Sequence, residues 1–297
     1  MLETGRRSSI AQVLDEAAAR LERAGLGSSR REAVALWAAV QGVKPGDVWL
    51  VREQPPPAEL AARFWDAVAR RASGVPFAYA VGRVSFRHLD LALDRRALIP
   101  RPETEGLVEL VLQWCRDRHG PGGEGWGVAA DVGTGCGCIA LALATEGRFE
   151  RVIAVERSPA AAALARENVA RLRPRVPVEV REGDLLAPLA GERCRVIVAN
   201  PPYLTEAEYA SLEPAVREFE PREALVSGAD GLDATRALIA GARAVLAPGG
   251  LLALEIDERR AEAVAALARE AGWQRVAVRE DLFGRPRYAL AVAAEAG

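Results

Sequence analysis

Gly127-Val128-Ala129-Ala130-Asp131-Val132-Gly133-Thr134-Gly135-Cys136-Gly137-Cys138-Ile139 runs from a short apolar strand pattern through a glycine-rich loop toward a helix. Glycines on alternate positions let the backbone pass close to a ligand where a Cβ would collide. A dinucleotide fingerprint wants G-x-G-x-x-G, yet Cys138 holds its last position and the third glycine comes one residue early. Downstream, strands are expected at Arg151 to Val155, Val176 to Val180, Arg195 to Val198 and Leu251 to Ile256, and helices at Pro159 to Arg171, Gly231 to Ala247 and Glu258 to Ala271. Such alternation implies a doubly wound α/β fold, a mainly parallel sheet covered by helices on both faces. The last apolar runs, Arg275 to Val278 and Tyr288 to Val292, are joined by a Gly284-Arg285-Pro286 turn too short for a helical crossover, so that pair should be antiparallel.

Upstream, residues 1–75 read as a helical docking domain. Ser9 and Gln12 make a capping-box start, and Ile10, Leu14, Ala17, Leu21 and Ala24 follow at helical spacing until Gly25 and Gly27. Ser29 and Glu32 open a second helix in the same way, carrying Val34, Leu36, Trp37 and Val40 and broken between Gly42 and Asp47. Leu60, Phe64 and Val68 mark a third helix after Pro55-Pro56-Pro57. Residues 76–101 read as a β-hairpin linker, because Phe77, Tyr79 and Val81, then Val84 and Phe86, then Leu89, Leu91 and Leu93 alternate, with a turn near Gly82 or His88. A helix from Pro102 to a glycine-rich break at Gly120 to Gly127 opens the domain expected over 102–297.

The 297 residues are 50% hydrophobic and 27% charged, a globular composition with length for two domains. Arg, Glu, Gly or Pro interrupt every apolar stretch well before the roughly 18 residues of a membrane span. The start of the chain, with Glu3, Arg6 and Arg7, shows no signal-peptide core, so a cytoplasmic protein without membrane contact is expected. The 39 basic and 41 acidic residues give a formal charge of -2, which argues against a chain built to coat nucleic acid while leaving room for a local basic patch. Lys44 is the single lysine, an arginine bias read as GC-rich coding rather than function. Four cysteines make no disulfide framework, none is paired at zinc-finger spacing, and no metal is expected. His88 and His119 are too few for a histidine metal site or triad and should lie on a surface or turn.

Ligands of doubly wound sheets bind beyond the C-terminal strand ends. A parallel sheet finished by an antiparallel hairpin is the Rossmann-like variant of methyltransferases that use S-adenosylmethionine (SAM). G-x-G-x-G preceded by an acid suits this cofactor: Asp131 would orient the loop or the ammonium, with Gly133, Thr134, Gly135, Cys136 and Gly137 beneath the amino-acid moiety. Glu156, closing the second strand, is placed to accept hydrogen bonds from both ribose hydroxyls. After the third strand, Asp184 would take the adenine amino group and Leu185 would cover the ring. The fourth strand ends in Asn200-Pro201-Pro202-Tyr203, which is poor generic turn chemistry. It suits methylation of a planar nitrogen, whose lone pair is tied up in a π system and makes a weak nucleophile. Two carbonyl acceptors, Asn200 Oδ1 and the Pro201 backbone oxygen, would hold the N–H groups and favour the geometry of attack. Tyr203 would pack on the flat target group, Pro202 would join the substrate contacts, and Asn200 would also border the cofactor.

On these residues the chain resembles the bacterial release-factor glutamine methyltransferases, the PrmC/HemK family, along nearly its whole length. Asn-Pro-Pro-Tyr also occurs in adenine-N6 DNA and guanine-N2 rRNA methyltransferases and identifies only the planar-nitrogen class. Narrower matches are Gly74-Val75-Pro76-x-x-Tyr79-x-x-Gly82-x-x-x-Phe86 and Leu98-Ile99-Pro100-Arg101-Pro102-Glu103-Thr104-Glu105, the latter similar to the family's segment that joins its domains and closes over the cofactor. Phe219-Glu220-Pro221-x-x-Ala224-Leu225, Gly228-x-Asp230-Gly231-Leu232-Asp233 and Leu246-x-Pro248-Gly249-Gly250 match as well. Departures are Glu156 where the family often has Asp, Leu185 where an aromatic often follows Gly-Asp, and Asp257 where Gly usually follows Glu-Ile. The resemblance implies methyl transfer from SAM to the amide nitrogen (N5) of the glutamine in the Gly-Gly-Gln loop of class I peptide chain release factors. Arg101 is then a candidate substrate contact, and the N-alkylated amide is acidic enough to lose its proton to water without a strong base.

Two rival readings remain. An adenine-N6 or guanine-N2 methyltransferase acting on DNA or rRNA would share the tetrapeptide, but the charge of -2, the absence of a basic target-recognition insert and the Ile99 to Glu105 segment stand against it. A non-catalytic SAM-binding module would be expected to have lost Asn200 or the proline pair, and both are present.

Overall fold

A computed structural model describes residues 8–120 and 125–295. The N-terminal reading at Glu3, Arg6 and Arg7 and the middle of the Gly120 to Gly127 break lie outside the described residues. The chain divides into two compact units, one through Arg83 and one from Val84.

The first unit is helical: α1 (Ile10–Arg23), α2 (Ser29–Gln41), α3 (Val48–Val51), α4 (Ala58–Ala72) and α5 (Phe77–Val81). The expected capping box starts α1, with Ser9 N–H donating to Gln12 Oε1 at 2.9 Å and Gln12 N–H to Ser9 Oγ at 3.4 Å. The α1 stripe of Ile10, Leu14, Ala17 and Leu21 is buried against Leu36 and Trp37 of α2 and Phe64 and Val68 of α4. Trp37 and Phe64 meet edge to face at 5.0 Å.

Two local expectations are corrected here. The Ser29 and Glu32 capping box is not made: Ser28, in the left-handed region at φ 52°, precedes α2 without a side-chain cap. Glu32 instead pairs with Arg71 of α4 at 2.6 Å, a tertiary partner outcompeting a local one. Phe77, Tyr79 and Val81 do not form a strand but sit on α5, between Pro76 and Gly82 at φ 74°. Spacing over five residues fits one helical turn as well as a strand, and Phe77 and Val81, four apart, both pack on the helical core.

The hairpin β1 (Arg83–Phe86) and β2 (Leu89–Ala92), all but its first residue in the second unit, turns at Arg87 and His88. Arg87, at φ 51°, ties this turn down through Glu146 at 2.6 Å and Glu109 at 2.8 Å. Then follow α6 (Pro102–His119), β3 (Val128–Val132), α7 (Cys138–Glu146), β4 (Arg151–Glu156), α8 (Pro159–Leu172), β5 (Val178–Glu182) and β6 (Cys194–Ala199). The chain continues through α9 (Glu206–Ala210), α10 (Pro214–Phe219), α11 (Asp233–Gly241), β7 (Leu246–Glu255), α12 (Ala261–Glu270), β8 (Arg275–Glu280) and β9 (Pro286–Val292). The sheet order is β5-β4-β3-β6-β7-β9-β8, parallel from β5 to β7 and antiparallel between β7, β9 and β8. This is the doubly wound α/β architecture with its terminal antiparallel hairpin.

Two boundaries move. The third strand begins at Val178 because Pro177, which has no N–H, serves the sheet only through its carbonyl, an acceptor for Val152 N–H. The helix expected to Ala247 stops at Gly241, and β7 already starts at Leu246. A register shift against β6, from Cys194↔Leu246 to Val196↔Leu251, takes up Pro248-Gly249-Gly250. No described helix is long and apolar enough to cross a membrane.

Candidate active site

The chain leaves β3 toward β4 and β5 on one side and returns from β6 toward β7 on the other, so the sheet order reverses between β3 and β6. Crevices at such reversals hold ligands, because the loops at the strand ends part there. A cavity of about 700 Å³ lies at this point. Gly133, Gly135, Glu156, Asp184, Leu185, Asn200 and Pro202 line it, together with Arg96, Ala97, Ser227, Gly228 and Asp233. Asp131, Thr134, Cys136, Gly137, Pro201, Tyr203 and Arg101 are not among its lining residues.

The glycines after β3 adopt φ values of 77°, 57° and 88° at positions 133, 135 and 137, a handedness that L side chains resist. Asp131 is fully buried; its Oδ2 accepts the Thr134 hydroxyl at 2.5 Å and the Ala140 N–H at 3.0 Å. Of the two roles considered for Asp131, the observed bonds serve the loop, joining it to the first turn of α7. Burial pushes the Asp131 carboxyl up to about 7, against the pull of these two donors. Cys136 and Cys138 are buried, and the Cys136 carbonyl accepts Asn168 Nδ2 at 2.9 Å. The Cys138 thiol is held well above its ordinary value, first by its contact with Cys136 and then by burial, so Cys138 offers no thiolate nucleophile.

Glu156 braces the same loop from β4: its Oε2 accepts Gly135 N–H and its Oε1 accepts Ser158 N–H, both at 2.9 Å. Each carboxylate oxygen can accept a further bond. Beyond β5, Asp184 is largely exposed, 3.9 Å from Arg157. Leu185 sits at φ 45°, a conformation that costs a branched residue on the order of 1 kcal/mol. A positive-φ loop, an acid with spare acceptor capacity and a cavity of this size fit a nucleoside-bearing amino acid such as SAM.

At the end of β6, Asn200 Nδ2 donates to Thr104 Oγ1 at 3.1 Å, and the Thr104 hydroxyl donates to Glu255 Oε2 at 2.7 Å. Thr104 and Glu255 are buried, on α6 and at the end of β7. Burial pushes the Glu255 carboxyl up to about 7, opposed by the Thr104 bond and the Arg287 charge. Tyr203 is held from behind: its N–H and that of Leu204 both donate to the Leu225 carbonyl, at 3.2 and 2.9 Å. Burial raises the Tyr203 hydroxyl to about 12, so it stays neutral. Arg101 Nη2 donates to the buried Glu220 at 2.7 Å, and Ile99 N–H donates to the same carboxylate at 3.2 Å, which pins the Leu98 to Glu105 segment beside the Phe219 to Leu225 segment. Its guanidinium is therefore engaged within the protein.

Sequence reasoning passed over Thr104, Glu220 and Glu255. Thr104 and Glu220 lie in the motifs quoted above, and Glu255, just before the Asp257 departure, carried a visible signal, an acid closing the apolar run Leu251 to Leu254, the same signature as Glu156.

Comparison with known proteins identifies the family and the fold. Residues 12–82 match the family model "PrmC N-terminal domain" and residues 124–218 match "Methyltransferase small domain". A release factor glutamine methyltransferase from Deinococcus radiodurans is 44% identical over 95% of this chain and 98% of its own length. One from Moorella thermoacetica is 43% identical over 95% of this chain and 98% of its own. A solved methyltransferase from Pyrococcus furiosus superposes with a TM-score of 0.53 at 19% identity, covering 81% of this chain and 100% of that one, and shares the fold. With full-length relatives at this identity and with both of its units matched, the chain belongs to the release factor glutamine methyltransferase family.

Proposed function

We propose that this protein transfers a methyl group from SAM to the N5 amide nitrogen of the glutamine in the Gly-Gly-Gln loop of class I peptide chain release factors. The observation that carries the reading is that Asn200 and Pro202 share one cavity with the Gly133 to Gly135 loop and Glu156. A planar amide held at the first pair lies within reach of a cofactor held at the second.

When bound, SAM supplies an electrophilic methyl group. The residues that would hold it are the glycine loop, Glu156, Asp184 and Leu185, with Glu156 accepting from the ribose and Asp184 from the adenine. Asn200 Oδ1 and the Pro201 carbonyl would accept the two N–H bonds of the target amide, and Tyr203 would support its flat face. Their dipoles face the positive charge that develops on nitrogen, so the site works by positioning and electrostatics. The amide proton then leaves to water. Release factors act in the cytoplasm, which is where this reading places the protein.

The test is labelled methyl transfer from SAM to intact release factor, to the same factor with its loop Gln changed to Ala, and to mixed DNA and rRNA. Label on the intact factor alone supports the reading; label on nucleic acid with none on the factor establishes the rival. The helical unit is the proposed dock for the body of the factor, supported by Trp49 and Leu50, which are 57% and 81% exposed. Changing both to Ala should raise KM for intact factor severalfold and leave kcat unchanged, because remote binding energy is lost while the chemistry is untouched. An unchanged KM would remove these residues from docking.

A further inference from the structure

Asn200 can act as an acceptor only if its amide oxygen, rather than its NH2, is presented to the substrate. The two ends of an amide are nearly the same size, so shape does not choose between them. The choice must come from a neighbour that discriminates donor from acceptor.

Thr104 and Glu255 are such neighbours. An ionised carboxylate has no proton to give. Glu255 in that form can only accept, and the Thr104 hydroxyl spends its one proton on it at 2.7 Å. What Thr104 then offers Asn200 is a lone pair, and only the NH2 of Asn200 can use it, at 3.1 Å. The Asn200 oxygen is left for the cavity that Asn200 lines. Were the amide reversed, two oxygens would face each other inside the protein and the NH2 would confront the N–H groups of the target amide. Both contacts are unfavourable, and burial makes an unpaired polar group costlier still.

We infer that Thr104 and Glu255 form an orientation lock, two positioning residues that fix the Asn200 side chain with its oxygen toward the substrate amide. The inference rests on the glutamine-methylation reading for its kinetic consequence, and on hydrogen-bond geometry alone for its structural one. Thr104 lies 96 residues from Asn200 and 151 from Glu255, so three separate segments close the lock.

The experiment compares wild type, Thr104→Val, Thr104→Ser, Asn200→Ala and the Asn200→Ala, Thr104→Val double variant at pH 8.5, where Glu255 is charged. Valine keeps the shape of threonine without the hydroxyl. Thr104→Val should lower kcat on release factor at least tenfold, leave SAM affinity within about twofold, and be rescued by serine. On the Asn200→Ala background the same substitution should cost nothing more, because there is no amide left to orient. Wild-type kcat in Thr104→Val, or an equal further loss in the double variant, overturns the lock. A second readout needs no acceptor: the side-chain amide ¹⁵N–¹H signals of Asn200, assigned by their loss in Asn200→Asp, should shift in Thr104→Val and return in Thr104→Ser. Unshifted signals overturn the lock as well. If wild type leaves release factor unlabelled, the substrate reading fails, and these signals still decide the lock.

Discussion

The two sides of the cavity are held in place by different means. On the cofactor side, Asp131 and Glu156 grip backbone N–H groups and a hydroxyl close by in sequence: Asp131 reaches Thr134 and Ala140, three and nine residues on, and Glu156 reaches Ser158, two residues on, and Gly135, 21 residues back. On the transfer side, Asn200 is held by Thr104 and Arg101 by Glu220, side chains 96 and 119 residues away. A loop gripped by its own backbone is rigid once the strand and helix that flank it have formed. A side-chain relay exists only when several layers of the fold have packed. The cofactor side should therefore tolerate damage elsewhere in the fold, and the transfer side should not.

The largest expected effect lies on the transfer side. Asn200→Ala should reduce single-turnover methylation by about 10² to 10³, the usual worth of one preorganised polar contact, while SAM affinity falls far less. Near-normal turnover would remove Asn200 from the chemistry and with it the contrast between the two sides.

On the cofactor side the effects should appear in binding. Glu156→Ala removes a charged acceptor and the brace on Gly135, so the SAM dissociation constant should rise roughly tenfold or more by calorimetry. Gly135→Val should do worse, since it places a β-branched side chain at φ 57° beside the cavity. Unchanged affinity in both variants would show that SAM does not sit on this loop.

The smallest effect concerns the buried acid behind the transfer side. The folded Glu255 carboxyl is raised from 4.5 to about 7, so the folded state keeps a proton there that the unfolded chain gives up across that interval. The stability tied to this group is full below about 4.5 and is lost as pH rises through about 7. Glu255→Gln has nothing to ionise, and Asp131, raised to about 7 in the same way, is common to both proteins. The Tm of Glu255→Gln relative to wild type should therefore climb by a few degrees between pH 5 and 7.5, measured by calorimetry. Arg287 and Arg101 near Glu255 oppose this trend and Glu103 reinforces it, and a flat Tm difference would mean that the two arginines hold Glu255 ionised throughout.

Much of this molecule was legible in one dimension. The alternation of apolar runs located all seven strands of the large sheet and the antiparallel closure, because periodicity and connection length are local properties of a chain. The glycine loop, Glu156 and Asn200 could be read for the same reason: each closes a strand, and strand ends in this topology converge on one crevice. Where a short pattern fitted two conformations, packing chose. Phe77 to Val81 became a helical turn because both ends of it found the helical core, and Glu32 left a cap for Arg71. The Thr104 bonds to Asn200 and Glu255 and the clasp of Arg101 on Glu220 join segments that approach only across the finished sheet. Hydrogen bonds depend on distance in space, and at separations of 96 to 151 residues spacing along the chain carries no record of that distance.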